Sequence, residues 1–174
     1  MDVIIPVVIV VVVAALVVSR AVVFVPAGQA FVVERLGRYR RTLRHGLHVV
    51  APLIDAVRAR HALDDAELAL SAVPAITLDN HAVAVDGALR VAVTDPEKAT
   101  YAVADYREAC AQSAGTALRD GIAARPIADA RAAHDGLGRE VADAAGRAAA
   151  AWGVRVTGCE IRAIRVGRAA ERPL

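Results

Sequence analysis

Aromatic residues, serine, lysine and cysteine are all scarce in this sequence. One tryptophan, three tyrosines and two phenylalanines make up 3% of 174 residues, so a core has to be assembled from valine, leucine, isoleucine and alanine. The same scarcity leaves no aromatic platform on which bases could stack. A net charge of only +2 also lacks the footprint of a general nucleic-acid binder, and no nucleic-acid partner is expected. Ser19, Ser71, Ser113 and the two cysteines, Cys110 and Cys159, are the candidate nucleophiles. The cysteines stand 49 residues apart and form no metal-spaced pair. They read as reduced, buried, small apolar residues, with a disulfide between them left open. A single lysine, Lys98, accompanies 20 arginines, a bias that genome composition explains as well as function does.

What is present is unevenly placed. Residues 34–61 carry seven arginines against Glu34 and Asp55, residues 64–105 carry eight carboxylates against Arg90 and Lys98, and residues 155–172 are basic again. Such segregation gives the folded chain faces of different sign. Ahead of all this lies Val3–Val18, 16 apolar residues without a charge. As a helix it reaches roughly 24 Å, short of a hydrocarbon core of about 30 Å. If Arg20 snorkels to the headgroups, the helix extends to about Val25 and spans. Pro6 lies near its start, where a missing N–H is tolerated. A cleaved signal peptide needs a positive beginning, and residue 2 is Asp2. The expectation is a retained, single-pass anchor over residues 1–25, a domain over 26–166 and a short tail over 167–174. The arginines all follow the span, so the positive-inside bias places the domain in the cytoplasm, at the cell membrane.

Gln29–Leu36 reads as a strand with Gly37 as its turn, His48–Val50 as a short strand stopped by Pro52, and Val57–Leu63 as a half-exposed strand. Over 82–93, Val83, Val85, Leu89, Val91 and Val93 share one face. Asp86-Gly87 suits either a hairpin turn or a bulge, and the unbroken parity favours one continuous strand. At Asp95-Pro96 the period changes, with Asp95 as N-cap and Pro96 at the first helical position. Helix is expected to about Val103, then from Asp105 to about Ala124, where Arg125-Pro126 breaks it. A further helix over 136–152 carries the stripe Leu137, Val141, Ala144, Ala148 and Trp152 and ends at Gly153. Val154–Val166 returns to strand. Antiparallel strands, then helices, then a final strand make an α+β domain.

No arrangement of residues announces chemistry. Ser113 lies in Ala111-Gln112-Ser113-Ala114-Gly115, which lacks the first glycine of a nucleophile elbow and falls mid-helix. His45 and His48 are three apart, but on a strand pattern rather than a helix, and lack two further ligands for a metal. Asp64-Asp65-Ala66-Glu67 lacks a loop-shaping glycine and reads as a solvated acidic edge. Gly136-x-Gly138 lies in a helical pattern, far from any strand that would make it a phosphate loop. No catalytic residue, cofactor or metal site is expected.

The run Val25-Pro26-Ala27-Gly28, Val32-Val33-Glu34-Arg35-Leu36-Gly37-Arg38-Tyr39, Thr42-Leu43, Gly46-Leu47 and Pro52-Leu53-Ile54-Asp55 resembles the opening of the stomatin–prohibitin–flotillin (SPFH, or band 7) domain. Thr77-Leu78-Asp79-Asn80, Val83-Ala84-Val85-Asp86-Gly87, Asp95-Pro96, Tyr101, Arg119, Trp152-Gly153-Val154 and Glu160-Ile161-Arg162-Ala163-Ile164 continue the likeness. The nearest branch is the bacterial stomatin-like, paraslipin type. The resemblance implies an N-terminal transmembrane helix and an SPFH-type domain close to the bilayer. It further implies large homo-oligomers that organise lipids and regulate membrane proteins, membrane-bound proteases among them, without catalytic residues. His45 stands where a proline is usual and His134 where an arginine is usual. Family members also continue into a long alanine-rich helix, whereas this sequence ends at Leu174, so small oligomers, or co-assembly with longer relatives, are expected.

Five arginines, Arg35, Arg38, Arg40, Arg41 and Arg44, crowd into Glu34–Asp55, and Arg20 precedes them. They are the expected membrane-surface contacts, held against anionic headgroups by the anchor; a solvated basic sheet face is the alternative. The expected function is a non-enzymatic, membrane-anchored scaffold that associates laterally. The alternatives are a regulatory subunit of a membrane protease and, weakest, a hydrolase.

Overall fold

The computed structural model describes residues 7, 8, 12, 21–51 and 54–166. The chain divides into two compact units, Met1–Leu63 and Asp64–Leu174.

The first unit is built of five strands: β1 (Val22–Val25), β2 (Gln29–Arg35), β3 (Arg38–Leu43), β4 (Gly46–Val49) and β5 (Asp55–Ala62). β2 is the centre of an antiparallel β3-β2-β5 sheet, while β1 and β4 pair antiparallel as a separate ribbon. β2 takes the centre because Ala30, Phe31, Val32 and Val33 are all buried, a continuous apolar run suited to a strand covered on both faces. Leu36 and Gly37, both at positive φ (51° and 77°), turn β2 directly into β3. Such turns match the right-handed twist of the strands they join. Val25, Phe31, Val33, Leu43 and Val50 close the core, so the inner face of the β1–β4 ribbon packs on the sheet.

The second unit opens with β6 (Ala66–Ile76) and β7 (Ala82–Val93). Four helices follow: α1 (Pro96–Tyr101), α2 (Tyr106–Ala123), α3 (Ile127–Ala132) and α4 (His134–Ala149). A 3-10 turn (Ala150–Trp152) leads into β8 (Val154–Val166), and the strands form an antiparallel sheet in the order β6-β7-β8. Val83, Val85, Leu89, Val91 and Val93 of β7 meet Leu118 and Ile122 of α2 and Leu137, Val141, Ala145 and Ala149 of α4 in one core. Asp95 caps α1 by accepting from the Lys98 amide, and Asp105 caps α2 by accepting from the Arg107 and Glu108 amides. Gly153 ends the 3-10 turn at φ 68°, and its carbonyl accepts from the Thr94 and Asp95 amides, each at 2.9 Å. A Cβ at that position would lie 2.6 Å from the Asp95 carbonyl oxygen, so no other residue fits without displacement.

The α+β order of strands, helices and final strand is as the sequence indicates, and β7 runs unbroken past Asp86-Gly87. A register shift against β8 falls at that dipeptide, so the bulge and the continuous strand are both present. Two expectations are corrected. Val22–Val25 is not the end of a helix but strand β1, because its alternate residues Val23 and Val25 pack into the core of the unit. The buried stripe of the last helix runs through Ala145 and Ala149 rather than Ala144 and Ala148, since the helix turns its Leu137–Val141 face on into those positions. β3, β6 and α3 are additional to the elements the sequence indicates. The rest of the expected anchor falls largely outside the described residues, as do Arg20 and the tail, 167–174. Val7, Val8 and Val12 are helical and exposed. No helix among the described residues is long and apolar enough to cross a membrane.

Candidate functional site

The arginine-rich stretch becomes the β2–β3 hairpin, the turn into β4 and the start of β5. Alternation along β3 (Arg38–Leu43) and the two-residue turn fix where each guanidinium starts. Arg35 pairs in register with both Arg38 on β3 and Asp55 on β5, so the end of the sheet gathers three charged residues. Arg35 grips Asp55 with a two-pronged contact, Nε to Oδ1 at 2.7 Å and Nη2 to Oδ2 at 3.1 Å. Arg40 Nη1 adds longer contacts at 3.3 and 3.4 Å. The Ala51 amide donates to Oδ2 at 3.0 Å, and the Asp55 side chain is 2% exposed. That amide and then the Arg35 fork hold the Asp55 carboxyl below its ordinary value.

The remaining arginines are used differently. Arg41 is half-buried and donates from Nη2 to the Val49 carbonyl at 2.6 Å; its Nε is buried without a hydrogen-bond partner. The Arg44 carbonyl accepts from His48 Nε2 at 2.7 Å, which fixes that nitrogen as the protonated one. The side chains of Arg38 and Arg44 are exposed and have no ion-pair partner among the described residues. Arg58 stands 3.7 Å from Glu34, and Arg60 lies over the Phe31 ring at 4.9 Å. Seven arginines against two carboxylates leave residues 34–61 with a formal surplus of five positive charges.

The structure thus divides the six expected contact residues. Arg35 and Arg40 are committed to Asp55, Arg41 is tied to the backbone of β4, Arg38 and Arg44 are open to solvent, and Arg20 is outside the described residues. Asp55, a carboxylate at the end of a basic run, is the sign in the sequence that some of these arginines are paired, but which ones follows from the register between β2 and β5.

Ser113 lies on α2 and Glu67 pairs with Arg162 across β6 and β8. Both cysteines are free; Cys110 is buried as expected but Cys159 only half-buried, and desolvation pushes both thiols up to about 11, so they are protonated and poor nucleophiles at neutral pH. Among the described residues no group of three or more His, Cys, Asp or Glu side chains is placed to hold a metal ion. The site is a charged sheet surface suited to binding anions by contact and steering.

The SPFH domain / Band 7 family model matches residues 23–174. An uncharacterised protein of Schizosaccharomyces pombe is 39% identical over 142 residues, which are 82% of this chain and 40% of that protein. Stomatin-like protein 2, mitochondrial, of Homo sapiens is 35% identical over 148 residues, 85% of this chain and 42% of its own length. An uncharacterised protein of Mycobacterium tuberculosis is 32% identical over 151 residues, 87% of this chain and 40% of its own. The chain therefore spans about two fifths of the length of the curated relatives it matches.

Proposed function

Because the chain belongs to the SPFH domain / Band 7 family, whose members are generally non-enzymatic membrane scaffolds, we propose that it gathers laterally on a membrane and organises lipids and proteins there, with the arginine-rich strands of its first unit against anionic headgroups. The observation that carries this reading is the unspent charge of Arg38 and Arg44. A surface that needed its arginines only for folding would pair them as it pairs Arg35 and Arg40 with Asp55. Instead two guanidiniums stand in solvent, in a chain that also carries 16 consecutive apolar residues, Val3–Val18. A cation near an anionic leaflet contributes about 1 kcal/mol, less as salt rises.

The test is a competition. The full chain, reconstituted by detergent removal into an equal mixture of anionic and zwitterionic vesicles, is expected to favour the anionic ones. Changing Arg38→Gln together with Arg44→Gln removes about 2 kcal/mol of headgroup attraction and lowers that preference by roughly tenfold or more at low salt. An unchanged preference would show that these arginines do not touch lipid. Mass spectrometry of the same protein extracted from its native membrane addresses the protease-regulator alternative, for which a stoichiometric protease is the expected signature.

A further inference from the structure

In the second unit, β6 and α2 flank a groove. β6 pairs with β7 alone, so it is a free edge of the β6-β7-β8 sheet. Two adjoining cavities, of about 450 and 510 Å³, share Pro74 and Arg119 in their linings and so form one continuous channel. It follows β6 from Ala69 to Ile76 and α2 from Glu108 to Ala123. At about 3.3 Å per strand residue and 1.5 Å per helical residue, both walls come to roughly 23 Å, the length of about seven extended residues. Much of the lining is small, with Ala69, Ala72 and Ala75 on the strand and Ala111 and Gly115 on the helix, which leaves room for the side chains of an occupant.

The walls specify the occupant. The outward main-chain groups of β6 have no strand to pair with among the described residues. An extended chain supplies the missing donors and acceptors, whereas a helix has spent its own internally. Charge adds a second condition. Gln112 Nε2 donates to Glu108 at 3.3 Å and Arg119 Nη2 to Thr116 Oγ1 at 3.1 Å, but Glu108, Arg119 and Asp120 have no ion-pair partner among the described residues. Two carboxylates against one guanidinium favour a basic occupant. Towards Ala123 the lining turns apolar, with Pro74, Ala75 and Ile76, the last 59% exposed. Edge-to-edge pairing of two copies is disfavoured on both counts. The bulge between Leu70 and Val73, with Ala72 at φ 48°, and Pro74 break the row in each copy. Antiparallel docking would also set the Glu108 end of one copy against the Asp120 end of the other, like charge to like.

We propose that this groove binds an extended segment of a partner protein, about seven residues long, which adds to the sheet at the β6 edge. Its apolar side chains lie against Ile76 and Ala123, and a basic side chain lies at the Glu108 end. Main-chain hydrogen bonds to β6 supply affinity, and the side chains facing α2 supply selectivity. The inference goes beyond the membrane reading above: it gives the second unit a peptide-capturing surface, and it holds whether or not the first unit touches lipid.

The probe is a displayed library of random peptides about seven residues long, selected on the full chain in detergent micelles. Enriched peptides are expected to alternate β-branched or aromatic residues with polar ones and to carry lysine or arginine near one end. Each is then synthesised in two N-methylated forms that block complementary alternate sets of amides. A strand with one neighbour uses only one set, so one form should lose at least tenfold in affinity and the other should bind as the parent does. Gln112→Trp and, separately, Ala123→Trp place bulk at exposed positions of the groove wall and should each weaken binding at least tenfold, while Glu108→Gln should weaken it severalfold. The N-methylated peptides leave the protein unaltered, so that arm stands even if a tryptophan perturbs folding. No enrichment from the library would overturn the proposal. So would affinity that neither tryptophan variant lowers, or equal affinity of the two N-methylated forms. Failure here is distinguishable from failure of the membrane reading, because no step uses lipid and the preference for anionic vesicles is measured separately.

Discussion

Asp55 receives one backbone amide and two guanidiniums while almost wholly covered, so its charge is satisfied in the fold and nowhere else. Its folded-state value is depressed below the ordinary 3.8. The sign follows from linkage: the folded state holds the proton less tightly than the unfolded one, so Asp55 contributes stability above the unfolded value. That contribution is lost as pH falls through the folded value. Asp55→Asn should therefore lower the melting temperature at pH 7 and leave Arg35 and Arg40 without their shared anion. The gap between variant and parent should close as pH drops below about 4. Thermal melts by circular dichroism at pH 7 and pH 3 check this, and a gap that stays constant across that range would show that the carboxylate charge is not what matters. Arg38 and Arg44 belong at the same scale: unlike Arg35 and Arg40, they have no ion-pair partner among the described residues.

At the scale of elements, the helical half of the second unit was written in local signals. Asp95-Pro96, Asp105 and Gly153 mark ends with side chains or backbone angles that are themselves the physical cause of the ends. Gly153→Ala tests this. The substitution forces a Cβ into a positive-φ position and against the Asp95 carbonyl, and should cost about 1–3 kcal/mol. Chemical denaturation should show it as a lower midpoint with unchanged slope; a variant as stable as the parent would mean that the turn relaxes freely. Strands were legible where alternation was clean, as in β7 and β8. β6 was not, because Ser71-Ala72 bulges between Leu70 and Val73, with Ala72 at φ 48°, and Pro74 follows, so both its period and its composition read as loop. α3 was hidden by Arg125-Pro126, which ends one helix and lies just before the next; Pro126 itself is the N-cap of α3. β1 was hidden by composition. Val22–Val25 continues the apolar character of the preceding run, and only pairing with β4, some 20 residues on, distinguishes strand from helix there. The arginine cluster was visible at once as charge, but its partition into committed and free members depends on register between β2 and β5, which no local pattern carries.

At the scale of the whole molecule, the first unit carries a net positive formal charge and the second, which holds the carboxylates of residues 64–105, a net negative one. This arrangement assigns the proposed contact with an anionic surface to the first unit. Membership in the SPFH domain / Band 7 family supplies the general character of a membrane scaffold. Lateral association is the step from that character to a function of this chain. It is tested most directly by resonance energy transfer between donor- and acceptor-labelled copies of the full chain, reconstituted together in anionic vesicles at low protein-to-lipid ratio. Transfer well above the value for randomly distributed copies, rising further as surface density increases, is the expected result. Transfer no greater than the random value at every density would contradict the scaffold reading.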